Sequence, residues 1–140
     1  MAVLSAATQQ IVGRVRDSRP GITLPGIVVG ILLIAVGFAA VAIFPNVAVL
    51  YVAGAVLGVG IGATTTLGFA ELGSGTPPER MGRTMGTAEL GREIGDAGGP
   101  LLVGAVATTV TLGVGLAAFA GIAALVAATA ALTRPRGLPH

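Results

Sequence analysis

The sequence predicts an all-α integral membrane protein with four transmembrane helices, and three observations lead there. The 140 residues are 54% hydrophobic and only 10% charged, whereas a soluble domain spends roughly a quarter of its residues on Asp, Glu, Lys and Arg; mean hydropathy is +0.92. The few charges are segregated, since Arg19 is the last before Glu71 and Asp96 the last before Arg134. No water-facing helix tolerates such long neutral runs. Once those runs are divided into helices, nearly all the arginines fall on one side of the membrane.

A transmembrane helix needs about 20 mostly apolar residues, so the neutral run from 20 to 70 holds two. The first span is read over about 25–44, with Pro25 tolerated because the first turn of a helix has N–H groups without intrahelical partners. Phe44, Pro45 and Asn46 supply the turn, and the second span covers about 47–70. Residues 71–78 are rich in Gly, Ser, Thr and Pro and read as a loop. Thr76-Pro77-Pro78-Glu79 has the spacing of a capping box, with Thr as N-cap and Glu three residues on, so a new helix is expected there. It supplies the third span, about 84–109, and the fourth runs over about 112–132 until Pro135 ends it. Residues 1–12 are apolar but interrupted by Ser5, Thr8, Gln9 and Gln10, and are too short to span. They read as the tail of a helix whose beginning is missing, or as a surface-lying segment. No basic stretch precedes them, so a cleavable signal peptide is not expected. The whole chain, 1–140, is one membrane domain on this reading.

Four spans place Arg14, Arg16, Arg19, Arg80, Arg83, Arg134 and Arg136 on one face, while the turns at 45–46 and 109–111 carry none. The positive-inside rule makes that face cytoplasmic, with both termini there and the chain multi-pass in the cell's inner membrane. The net charge of +2 is no sign of a nucleic-acid binder, because no basic stripe interleaved with aromatics accompanies it. The one histidine is His140, there is no Cys and no Lys, and no Ser sits with a base. Metal sites, nucleophilic triads and phosphate-binding loops therefore have nothing to build on, and neither enzymatic activity nor a cofactor is expected.

Two patterns remain. Gly54, Gly58 and Gly62 recur at every fourth residue of the second span, and Gly91, Gly95 and Gly99 do so in the third helix. Helices in lipid gain little from mutual hydrophobic burial, and small residues let their backbones approach. The third helix also carries Glu89, Arg92, Glu93 and Asp96 at or near membrane depth, where ionisable groups are costly. At 100° per residue these four share an arc of about 100°, with the glycine ridge about 110° away. Arg92 and Asp96 have the spacing of an i, i+4 ion pair. One reading leaves the first turns of this helix in the headgroup zone with Arg92 on lipid phosphate; the other makes the four residues a wet, acid-lined path for a proton or cation, with Glu93 and Asp96 deepest.

Together these residues resemble the C-terminal third of a major facilitator superfamily transporter, and three places carry the likeness. Gly13-Arg14-Val15-Arg16-Asp17-Ser18-Arg19 is similar to the cytoplasmic Gly-x-x-x-Asp-Arg loop of that superfamily, with Gly13 and Asp17 matching, Ser18 in place of the Arg, and Arg19 one position late. Pro78-Glu79-Arg80-Met81-Gly82-Arg83-Thr84-Met85-Gly86 resembles the Pro-rich, Arg-Gly-Arg start of the eleventh helix. Gly95-Asp96-Ala97-Gly98-Gly99-Pro100-Leu101-Leu102-Val103-Gly104 looks like the Gly-x-x-x-Gly-Pro-x-x-Gly-Gly signature of the antiporter subgroup, from which Val103 departs; that signature belongs to the fifth helix, the pseudo-symmetric mate of the eleventh.

The resemblance implies that the four spans correspond to helices nine to twelve, forming part of a C-terminal bundle. Glu89, Arg92, Glu93 and Asp96 would then face the cytoplasmic part of a transport path, and Gly13, Asp17 and Arg19 would latch its inward gate. Gly54, Gly58, Gly62, Gly91, Gly95, Gly99, Pro100 and Gly104 would serve helix packing and the antiporter-like motif. It implies proton-coupled export of a small molecule, a drug or a metabolite. A complete member has about twelve spans in two halves, so the expected partners besides the lipid bilayer and the substrate are the missing N-terminal half or another copy of this chain. Two other readings stand beside it. One is a self-associating four-helix carrier, disfavoured because residues 20–70 hold no acid; the other is a non-transporting membrane subunit or remnant.

Overall fold

In the computed structural model the described residues, 2–18, 20–109 and 111–132, form five helices joined by short turns, with no strand among them. Helix α1 (Ala2–Ser18) leads through a 3-10 turn at Pro20–Ile22 into α2 (Thr23–Ile43); α3 (Val47–Gly75), a second 3-10 turn at Pro78–Arg80, α4 (Met81–Thr109) and α5 (Leu112–Leu132) follow. Three of these, α2, α3 and α5, are long and apolar enough to cross a membrane. Only 22%, 22% and 17% of their apolar windows are buried inside the protein. Most of that apolar surface faces outward, which suits helices whose solvent is hydrocarbon. Helix α4 has the length to span, but it carries Arg83, Glu89, Arg92, Glu93 and Asp96.

The helix ends follow from local chemistry. Pro45 has no N–H to continue α2, and the Asn46 side chain accepts a hydrogen bond from the Val49 N–H at 2.9 Å, capping α3. This is the turn expected at 44–46. Helix α3 then runs past residue 70, through the stretch expected to be a loop, as far as Gly75. Ser74 Oγ donates to the Glu71 carbonyl at 3.0 Å and Thr76 Oγ1 to the Leu72 carbonyl at 2.5 Å. These bonds add second donors to carbonyls of the last turns and hold them helical until Pro77 forces extended backbone. Thr76 is thereby committed to the end of α3, so the expected capping box does not form. The next segment starts instead as a 3-10 turn, with the Arg80 N–H on the Pro77 carbonyl at 3.0 Å.

The N-terminal segment also differs from expectation. Residues 2–12 join Gly13–Ser18 in one 17-residue helix, so Gly13 and Asp17 lie on α1 rather than in a loop. No proline interrupts the chain before Pro20, and a lone glycine costs a helix only about 1 kcal/mol. Helix α1 docks against α3, where Arg16 Nη2 donates to the Ala70 carbonyl at 3.3 Å. Arg19, Arg134, Pro135, Arg136 and His140 lie outside the described residues, as does the side chain of Asp17.

Helix α2 sits centrally, packed against α3 on one side and α5 on the other. It runs antiparallel to α3 in a definite register: Gly26 faces Leu67, Gly30 faces Gly60 and Thr64, and Gly37 faces Leu57 and Ala53. On α3 these residues, 53, 57, 60, 64 and 67, alternate steps of four and three, the spacing of a seam between two supercoiled helices. At the crossing the backbones touch. A Cβ on Gly60 would sit 2.7 Å from the Gly30 carbonyl oxygen, and one on Gly30 would sit 3.0 Å from that of Gly60. Against α5 the contact is looser: the rings of Phe38 and Phe119 lie 6.0 Å apart at 45°, flanked by buried Ala35 and Ala120. Helix α4 leans only lightly on α3 and α5.

Candidate functional site

The site is built on α4. Glu89, Arg92, Glu93 and Asp96 are placed by helical spacing on one stripe, and the structure brings all four together. Arg92 is the hub: its Nη2 reaches Glu89 Oε1 at 2.6 Å and Glu93 Oε1 at 2.5 Å, and its Nη1 reaches Asp96 Oδ2 at 2.7 Å. A second donor, Nε, bonds Glu89 Oε1 at 3.1 Å. The planar guanidinium can serve three carboxylates at once because its five N–H groups fan out in a fixed fork. With three acids on one base, the cluster is a net acceptor of positive charge. The acids are the outer members, with 49%, 63% and 66% of the Glu89, Glu93 and Asp96 side chains exposed against 38% of Arg92.

Depth along the bundle follows from what Arg92 lies beside. It lines a groove of about 430 Å³ with Ile27 of α2 and with Thr64, Thr65 and Phe69 of α3. Ile27 is in the second turn of α2 and Glu71 and Leu72 are near the end of α3, so the groove that Arg92 lines reaches past the start of the apolar helix α2. Asp96, one turn further, is about 6 Å deeper. Thr64 Oγ1, in the wall of the same groove, is buried and has no hydrogen-bond partner.

The glycines divide sharply. Of the second-span ridge, Gly62 is packed: a Cβ there would meet the Ser5 carbonyl oxygen of α1 at 2.7 Å. Gly58 is buried, and Gly54 is half-buried beside a small cavity shared with Tyr51 and Leu57. On α4 the surroundings of Gly91, Gly95, Gly99 and Gly104 are open, with nothing within 4 Å of where a Cβ would be. Pro100 lies inside α4 and is exposed. Four further tight glycines, Gly26, Gly30, Gly37 and Gly60, are ones the spacing rule passed over. Their signal was Gly26-x-x-x-Gly30 on α2 matched to the four-three pattern of α3, legible only if both helices are read together in antiparallel register. Also unforeseen is a larger cavity of about 810 Å³ near the Pro77–Pro78 turn, lined by Leu72, Arg80, Arg83, Thr84, Thr87 and Ala88.

Compared with known protein families, curated proteins and solved structures, the chain matches none.

Proposed function

We propose that the chain is the C-terminal portion of a secondary transporter of the major facilitator type, exporting a small molecule in exchange for protons, with α4 as a fourth membrane span lining the path. The observation that carries this reading is the Arg92 hub: three carboxylates and one guanidinium set beside apolar helices, on a helix whose outer face has no neighbour among the described residues. Ionisable residues at such depth are costly and point to ion or substrate pathways. A proton arriving on Glu93 or Asp96 removes one of the guanidinium's partners and frees donors on Arg92, so protonation and the geometry of α4 are coupled. The arginines before α2 and around the Pro77–Pro78 turn favour a cytoplasmic location for that end, in a cell's inner membrane.

The test uses energised, everted membrane vesicles from cells that make the protein naturally, with Glu93→Gln or Asp96→Asn introduced in the chromosome. Efflux of fluorescent organic substrates and the accompanying loss of the proton gradient are followed together. Both fall to background in either variant if α4 couples the two fluxes. Unchanged fluxes at normal protein levels would remove the transport reading and favour a non-transporting subunit. The open α4 face also suits a second copy of the chain, which a defined homo-oligomer extracted in mild detergent would support.

A further inference from the structure

The cavity at the Pro77–Pro78 turn has no part in the transport reading. Its walls are the last turn of α3, the 3-10 turn at Pro78–Arg80 and the first turns of α4. Arg80, Arg83, Thr84 and Thr87 recur at steps of three, one and three, so they share one stripe of the chain. Among the described residues neither Arg80 nor Arg83 makes an ion pair, which sets them apart from Arg92 with its three. Among the described residues the Thr84 hydroxyl has no hydrogen-bond partner, while that of Thr87 donates to the Arg83 carbonyl at 2.9 Å. Two exposed guanidinium groups with no ion pair and one half-buried hydroxyl thus line one cavity, a set of donors that suits an anionic acceptor.

The cavity does not stand alone. Leu72 and Ala88 are common to it and to the 430 Å³ groove that runs on between α2, α3 and α4. That groove is lined mainly by apolar groups, Ile27, Gly68 and Phe69 among them, with Glu71 and Arg92 as its exposed charged members. A cationic mouth opening onto an apolar groove, beside helices that face hydrocarbon, has the polarity of a phosphate-bearing amphiphile. A free phosphate would use only the mouth.

We propose that this cleft binds one anionic phospholipid, its headgroup phosphate held by Arg80, Arg83 and Thr84 and its acyl chains laid along the groove past Leu72 and Phe69. Basic pockets between helices at a membrane surface recognise acidic headgroups in this way, and guanidinium groups match phosphate oxygens by charge and by fork geometry. The bound lipid would brace α4 against α3, where protein contacts alone are sparse.

The test is native mass spectrometry of the full chain in a neutral detergent, titrated with phosphatidylglycerol, with phosphatidylcholine, or with inorganic phosphate. One phosphatidylglycerol is expected to stay bound under conditions that strip phosphatidylcholine, and excess inorganic phosphate should displace it only partly. The Arg80→Gln/Arg83→Gln double variant should weaken retention about tenfold or more. Ala88→Leu, which fills the shared wall while keeping both arginines, should weaken it too. Equal retention of the two lipids, full displacement by phosphate, or unchanged retention in both variants would each overturn the proposal. Should the double variant not fold, the wild-type comparison of lipids and phosphate still decides.

Discussion

The pairing of α2 with α3 and the exposed flank of α4 use the same residue type for opposite ends. Both regions space glycines four apart, yet a Cβ on Gly60 would run into backbone at 2.7 Å while one on Gly95 would meet nothing within 4 Å. Glycine spacing on one helix is therefore permissive and no more. What turns it into contact is a partner whose own small residues arrive at the same height, as Gly30 and Gly60 do. On α4 the glycines are accompanied by the Arg92 cluster, whose solvation no neighbouring helix among the described residues replaces. One region is closed by complementarity and the other is left open beside charge.

The comparison can be broken most forcefully at the closed end. Gly60→Leu should cost about 3 kcal/mol, because overpacking against backbone has no rotamer by which to escape. The check is a large drop in the thermal midpoint of the detergent-extracted chain, or in its folded yield. Next in size is Arg92→Gln, which leaves three carboxylates together without their common base. Helix α4 should then insert poorly, and adding Glu89→Gln and Asp96→Asn to the same chain should restore insertion. The native sequence contains no Cys, so single cysteines at Ser74 and Thr111 report this cleanly. With α4 across the membrane an impermeant thiol reagent labels them from opposite sides, and with α4 lying on the surface it labels both from one.

A smaller contrast sharpens the open end. Gly95→Leu should leave the stability of the isolated chain within about 1 kcal/mol, and on the favourable side, since only helix propensity changes. On the transporter reading it should nevertheless reduce association of α4 with the other transporter half in native membranes, measured by crosslinking. The smallest effect belongs to Thr64→Val, which keeps the shape and removes the unpartnered buried hydroxyl. A gain of up to about 1 kcal/mol is expected from relief of that desolvation, read as a slightly higher midpoint.

Much of this was legible in the sequence for reasons that are local. The turn at 44–46 rests on Pro45 and Asn46, the limits of α5 on the extent of one apolar run, and the pairing of Arg92 with Glu89 and Asp96 on helical spacing alone. The rest depended on contacts that a single helix cannot announce. The 71–75 stretch reads as loop by composition, yet Ser74 and Thr76 spend their hydroxyls on carbonyls of α3 and prolong it. Helix α1 reads as an orphan tail because its partner, the Gly62 face of α3, is 50 residues or more away in the chain. The headgroup cleft escaped notice because Arg80 and Arg83 look like ordinary topogenic charges until Leu72 is seen opposite them.

Pro100 gives α4 a mechanical property. Having no N–H, it cannot bond the carbonyl four residues back, and that carbonyl belongs to Asp96. The backbone oxygen of the deepest acid thus loses its regular helical donor, and the rod is weakened just above the charge cluster, where Gly98 and Gly99 have nothing within 4 Å of where a Cβ would be. The segment that bears the charges and the segment beyond Pro100 are joined as two levers on a soft pivot, so a tilt of the lower lever need not be transmitted to the upper.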